Sequence, residues 1–155
     1  TQIFKTRKVP KMHGNRVIVS TDPKGNRKVG ILDGAYKPGT LLKIKAATEP
    51  KSGHFTFVPS GADPGIVAIL LKNGRGGTVD DAYAAGDYAD IYFPQQGEEL
   101  NIRYTGAAGA FAIGDEFMPD ANGKLIDSAG GVRVAIGLET VADTTEEALV
   151  HSQVI

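Results

Sequence analysis

Residues 34 to 40 read GAYKPGT, residues 81 to 87 read DAYAAGD and residues 109 to 115 read GAFAIGD. One phrase, [GD]-A-[YF]-x-x-G-[DT], thus occurs three times in a chain of 155 residues. Its chemistry is that of a turn that launches a strand. In the first copy Pro38 stands at the second turn position, where its fixed φ fits, and Gly39 at the third, where a type II turn needs a positive φ. Gly86 and Gly114 take the same slot. Extended-looking sequence follows each copy: LLKIK (41–45), YADIYF (88–93) and EFM (116–118). In YADIYF, Ala89, Ile91 and Phe93 alternate with Tyr88, Asp90 and Tyr92, the period of a half-buried strand. The phrase reads either as three convergent β-turns or as a module repeated around a barrel-like core. In both readings Gly34, Pro38, Gly39, Gly86, Gly109 and Gly114 are its structural residues.

The rest of the chain is a string of short candidate strands. HFTFV (54–58), the apolar run IVAILL (66–71), LNIRYT (100–105), VRVAIGL (132–138) and ALVHSQVI (148–155) are each bounded by turn residues. The run at 66–71 is too short for a typical helix and rich in branched residues, so it predicts a fully buried strand. Asn122-Gly123 predicts a hairpin after the third phrase. Thr78 to Ala85 predicts a helical turn, with Thr78 as N-cap and Asp80 and Asp81 in its first turn. A second correspondence supports a repeat. The order turn phrase, short strand, Gly-Val-Ala strand recurs in both halves, with GIVAILL (65–71) matched by GVRVAIGLE (131–139). Twenty glycines and eight prolines, falling largely between apolar runs, agree with many turns and few long helices. At 41% hydrophobic residues the chain can build one domain with a real core. The expected class is mainly β: a compact barrel-like domain with short helical turns.

Charge divides the chain. Residues 1 to 30 carry eight basic residues against the single acid Asp22, a net +7. Since the whole chain is −1, residues 31 to 155 hold −8. The organisation predicted is a basic N-terminal arm over 1–30 and a β-rich body over 31–155. Within the arm, RVIVS (16–20) and RKVGI (27–31) flank TDPKGN, which predicts a hairpin. The segment before it is extended when free. Docking on an acidic protein surface is the preferred role for the arm, over a solvated tail or a nucleic-acid contact driven by counterion release. Aromatic residues are sparse in it and the body is acidic, so no direct nucleic-acid contact is expected.

The chemical inventory is thin. Histidines 13, 54 and 151 are isolated from one another, without the spacing zinc sites use. There is no cysteine, hence no disulfide framework and no thiolate nucleophile or ligand. NGRGGT (73–78) lacks the lysine of a phosphate loop, and Ser60 lacks the flanks of a nucleophile elbow. Asp80, Asp81, Asp87, Asp90, Glu98 and Glu99 read as a solvated acidic surface rather than as cation ligands. No run reaches the roughly eighteen apolar residues of a membrane helix, and TQIFKTRKVPK has no apolar signal core. The expectation is a soluble chain without enzymatic activity, cofactor, metal or membrane partner.

Taken together, DGAYKPGTLLKI, FTFVPSG, GIVAILL, YAAGDYADIYFPQQGEELNIRYTG, GAFAIGDEFMPDANGKLI and VRVAIGLE resemble the capsid cement, or head-decoration, proteins of tailed bacteriophages. The resemblance covers roughly residues 30 to 155 and leaves the arm outside. It implies a β-tulip-type protomer that assembles as homotrimers on the outer surface of the expanded head in the virion. There it would bridge major capsid protein subunits against the pressure of packaged DNA. Under that resemblance Lys5, Arg7, Lys8, Lys11 and Arg16 are expected to pair with acidic groups of the capsid protein or a neighbouring subunit. Ile3, Phe4 and Val9 would supply apolar anchors. Another phage structural module, of tail or head fibre, and a nucleic-acid-binding protein using the arm stand as alternatives.

Overall fold

The structure, a computed structural model, describes residues 15–61, 67–75, 77–105, 112–128, 132–140 and 148–155. Among these, ten strands form two closed barrels of five. The first comprises β1 (Asn26–Leu32), β2 (Leu41–Ile44), β3 (Thr56–Pro59), β4 (Ala68–Leu70) and β5 (Tyr88–Phe93). The second comprises β6 (Glu99–Tyr104), β7 (Glu116–Pro119), β8 (Leu125–Asp127), β9 (Ala135–Gly137) and β10 (Ala148–Val154). The fold is mainly β and barrel-like, as the turn phrases predict, and the barrel is built twice.

The two barrels share one topology. In the first, β1 runs parallel to β3, and the remaining pairs β3·β2, β2·β4, β4·β5 and β5·β1 are antiparallel. In the second, β6 runs parallel to β8, and β8·β7, β7·β9, β9·β10 and β10·β6 are antiparallel. The first and third phrases therefore occupy equivalent places, before β2 and before β7. The second phrase precedes β5 and meets the first phrase at a bridge between Tyr36 and Tyr83.

Each phrase closes the same turn. The fourth residue's N–H donates to the first residue's carbonyl in 37–40, 84–87 and 112–115, at 3.3, 3.2 and 3.1 Å. The glycine in third place has φ of +89°, +84° and +93° in Gly39, Gly86 and Gly114. The N–H of that glycine then donates to the last residue of the strand with which the new strand will pair. Gly39 bonds the Leu70 carbonyl of β4, Gly86 the Leu32 carbonyl of β1, and Gly114 the Gly137 carbonyl of β9, at 2.7 to 2.9 Å. The phrase thus fixes where the strand after it enters the ladder, which is what a chain of short strands needs to avoid slipping register. A fourth turn, Gln95–Glu98, does the same without the Ala-aromatic lead. Glu98 N–H bonds Gln95, Gly97 has φ +91°, and Gly97 N–H bonds the end of β10 at Val154.

Two expectations are corrected. Thr78 to Ala85 is not helical, and no helix occurs among the described residues. The local bonds of a cap are present: Thr78 N–H to Asp81 Oδ2 at 2.9 Å and Asp80 N–H to Thr78 Oγ1 at 3.3 Å. The chain cannot continue as helix because Tyr83 N–H must reach the Tyr36 carbonyl, at 2.9 Å. The hairpin across TDPKGN is also absent. Both edges of β1 are taken by β3 and β5, and residues 17 to 20 run along β6 of the other barrel. There Val19 and Ser20 N–H groups donate to the Glu99 carbonyl, and Asn101 N–H donates to that of Val17. Val17, only 3% exposed, gains a core there that a hairpin would not supply. Strand β1, starting at Asn26, crosses residue 30, where the arm was expected to give way to the body.

Leu32, Leu42, Phe57, Ala68, Leu70, Ala89 and Ile91 fill the first barrel. The second core is continuous with the seam between the barrels. Leu41, Ile69 and Tyr92, which point out of the first barrel, join Leu100, Ile102, Tyr104, Phe117, Leu125 and Leu149. Strand β4 is buried on both faces, as its uninterrupted apolar run predicts. Each barrel thus has its own apolar cluster, and the second one draws in Leu41, Ile69 and Tyr92 from the outer face of the first barrel.

Candidate functional site

Of the turn residues, two of the first phrase lie at the seam. Pro38 and Gly39 are buried there, and the Gly39 carbonyl accepts the Arg103 N–H at 2.9 Å. The opposing loop returns a bond, Leu41 N–H to the Gly123 carbonyl at 2.8 Å. Gly123 belongs to the expected hairpin, which pairs β7 with β8 from Phe117–Asp127 to Pro119–Leu125. Gly34 sits in the bend after β1, close to the Tyr36 hydroxyl, and Gly109 lies outside the described residues.

Two buried charged side chains brace the seam. Arg103 on β6, 2% exposed, donates from Nε to the Pro38 carbonyl at 2.9 Å and from a terminal nitrogen to the Val79 carbonyl. Asp80, largely exposed, stands 3.6 Å from it. Glu98 accepts the Tyr92 hydroxyl at 2.6 Å, Gln95 N–H at 2.7 Å and Lys24 N–H at 3.2 Å. Gly25 N–H in turn donates to the Tyr92 hydroxyl at 2.8 Å. Burial pushes the Glu98 carboxyl up, but these bonds to its ionised form outweigh burial and hold it below the ordinary carboxylate value. Burial, reinforced by the bond to Glu98, pushes the Tyr92 phenol up to about 12.

Arg103 did not stand out in the sequence, and Glu98, expected on a solvated acidic surface, is instead buried at 7% exposure because its carboxylate takes up the Tyr92 hydroxyl and backbone N–H groups. A lone cation within the alternation of LNIRYT reads as a solvent-facing residue, and only the first barrel's loops against it make that face interior. Glu98 had a legible signal, since Gln95–Glu98 repeats the turn chemistry without the Ala-aromatic lead.

The histidines stay apart. His54 donates from Nδ1 to the Val29 carbonyl at 3.2 Å, and its ring tilts against Tyr88 at 5.3 Å. His151 faces Glu99, Nε2 to Oε1 at 2.7 Å. His13 lies outside the described residues. Among the described residues no group of three or more His, Cys, Asp or Glu could hold a metal ion, and no helix is long and apolar enough to cross a membrane. Of the expected docking residues, Ile3, Phe4, Lys5, Arg7, Lys8, Val9 and Lys11 lie outside the described residues. Arg16 is exposed, and its carbonyl accepts Asn101 Nδ2 at 3.0 Å. Tyr88 is 58% exposed and Tyr92 only 1%.

The fold is the informative comparison. The crystal structure of the head fiber gp8.5 N base in bacteriophage phi29 superposes with a TM-score of 0.53 at 8% identity. The match covers 85% of this chain and 95% of that one. The likeness is one of fold. No protein-family profile matches the chain, and no curated protein matches it by sequence.

Proposed function

We propose that this chain is a structural component of a phage head, a cement protein seated on the outside of the expanded shell. The observation that carries the reading is the fold likeness to a head-fibre base over nearly the whole of that base. It joins the resemblance of residues 30 to 155 to head-decoration proteins, which was drawn from the sequence independently. In this reading the chain is not an enzyme and uses no cofactor. Its partners are the major capsid protein and two further copies of itself, in the trimeric, tulip-type arrangement of the decoration class. A single small protomer interface binds weakly, whereas three linked contacts raise effective concentration and slow dissociation. Bridging of capsid subunits is the function such a trimer would serve.

Sedimentation of the protein with unexpanded and expanded heads of candidate phages tests this. Saturable binding to expanded heads, at a fixed ratio to the capsid protein, is the expected result. Failure to bind at low and at high salt would refute it. The second reading, a head-fibre base, is favoured by the named neighbour itself. Electron microscopy of decorated heads separates the two, because a cement protein covers the lattice and a fibre base occupies a few sites. In the arm, changing Lys5, Arg7 and Lys8 to Gln is expected to weaken binding and to flatten its salt dependence. Equal affinity of the variant at both salt concentrations would remove the arm from the interface.

A further inference from the structure

One end of the first barrel departs from the acidic character of the body. Between residues 41 and 59 there are three lysines, Lys43, Lys45 and Lys51, and one acid, Glu49. The barrel register brings Lys28 of β1 to them. Lys43 pairs with Val58 and Ile44 with Phe57, Lys45 N–H bonds the Thr56 carbonyl at 2.8 Å, Lys51 bridges His54, and Lys28 Nζ lies 5.9 Å from the Phe55 ring centre. Lys28, Lys45 and Lys51 thus gather around the start of β3, with Lys43 two residues further along the sheet. They surround exposed apolar groups, Ile44 at 43% and Phe55 at 37%.

The backbone beneath this end is strained in a way found nowhere else among the described residues. The two non-glycine residues with positive φ, Ala47 at +56° and Ser52 at +52°, both lie in its loop. Ser52 and Gly53, at +80°, form a two-residue turn closed on both sides, Lys51 N–H to the His54 carbonyl at 3.0 Å and the reverse at 2.9 Å. Such a turn holds Lys51 and Phe55 in one fixed relation. A left-handed non-glycine residue costs on the order of 1–2 kcal/mol. Strain of this kind persists only where the surrounding structure over-determines it.

We infer that this lysine-ringed apolar end is the face that docks on an acidic protein surface, the shell under the reading above, on which the inference rests. An apolar centre with a charged rim is the anatomy of a protein interface. The sign of the rim opposes the −8 carried by residues 31 to 155 as a whole, so it also orients the protomer, turning the basic end towards an acidic partner and the acidic remainder away. Nucleic acid would meet the same charges through its phosphates, but the exposed Ile44 and Phe55 at the centre favour a protein.

The test compares the wild-type chain with the triple variant Lys43→Glu, Lys45→Glu, Lys51→Glu and with Phe55→Ser, on expanded heads and, separately, on duplex DNA. Circular dichroism checks that each variant is folded, and Lys37→Glu, at the exposed first position of a turn, is the charge control. The expected result is a loss of head affinity of about tenfold or more in the triple variant, a smaller loss for Phe55→Ser and little change for the control. Wild-type binding that the triple variant matches overturns the assignment of this face while leaving the shell reading intact. A wild-type chain that binds no head sinks the shell reading, and this inference with it. DNA binding that the triple variant abolishes, with Phe55→Ser unaffected, overturns the choice of a protein partner.

Discussion

The side chains that decide the seam are ones whose polarity would suit them to water. Arg103 satisfies the carbonyls of Pro38 and Val79, which lie in the loops that lead into β2 and β5. Arg103→Ala would leave both acceptors buried without that donor, and each unsatisfied group costs about 1–3 kcal/mol. The expected loss is about 2–4 kcal/mol in urea denaturation. A loss below ~0.5 kcal/mol would show that the seam does not depend on it. Titration gives a second handle. Burial and neighbouring carboxylates hold the phenols of Tyr36, Tyr83 and Tyr92 at about 12, against an ordinary 10.0. The folded chain keeps these protons where the unfolded chain releases them, so their contribution is complete below pH 10 and lost as pH rises towards 12. Glu98 works in the other direction. Its lowered value gives stability present above the ordinary 4.5 and lost as pH falls through the lowered value. Stability curves should therefore fall in alkali with phenolate absorbance rising late. The Tyr92→Phe variant should lose part of the alkaline fall, and an unchanged alkaline limb would contradict the network.

Among elements, the turns were the most legible part of the chain, and the reason is chemical. A positive φ at the third position nearly demands glycine, so Gly39, Gly86 and Gly114 announce themselves in one sequence without any partner in view. The strands after them were legible for a similar local reason, since period and turn boundaries need no tertiary information. Which face of a strand is buried was not legible in LNIRYT, because Asn101 and Arg103 are met from outside their own barrel, Asn101 by the Arg16 carbonyl and Arg103 by those of Pro38 and Val79. The same distinction predicts different costs for one substitution at two equivalent turn positions. A Cβ on Gly86 meets open space, so Gly86→Ala costs only the left-handed backbone, about 1–2 kcal/mol. On Gly39 it would press 2.5 Å from Leu149 Cδ2 and 3.2 Å from Arg103 Cγ, adding an overpacking cost of roughly 1–3 kcal/mol. Thermal denaturation should rank Gly39→Ala well below Gly86→Ala. Equal melting temperatures would mean that the two barrels do not press on each other there.

At the scale of the whole molecule, the internal repeat could be sensed in the order of turn phrase, short strand and Gly-Val-Ala strand, but not the closure of each half into its own barrel. Closure depends on the parallel pairs β1·β3 and β6·β8, contacts between strands far apart in the chain that leave no mark on local periodicity. The second of these pairs is a single residue pair, Tyr104 with Leu125, so the earlier part of β6 has an edge that β8 does not cover. Residues 16 to 20 take that edge. They supply the Val17 carbonyl to Asn101, Val19 and Ser20 N–H groups to Glu99, the Ser20 hydroxyl to Glu99 N–H at 2.8 Å, and the buried Val17 side chain. Asn15 Oδ1 extends the same strap to the first barrel by accepting Val79 N–H at 2.8 Å. A chain lacking residues 1 to 14 keeps this strap, whereas one lacking residues 1 to 20 does not. Burial of one valine is worth about 1.5–3 kcal/mol and each of the five net hydrogen bonds about 0.5–1.5 kcal/mol, so the longer deletion should be the less stable by at least about 4 kcal/mol. Because the seam core belongs to both barrels, that loss should shift a single transition downward rather than split it. Two separate transitions in calorimetry of the longer deletion would instead make the strap the element that couples one barrel to the other.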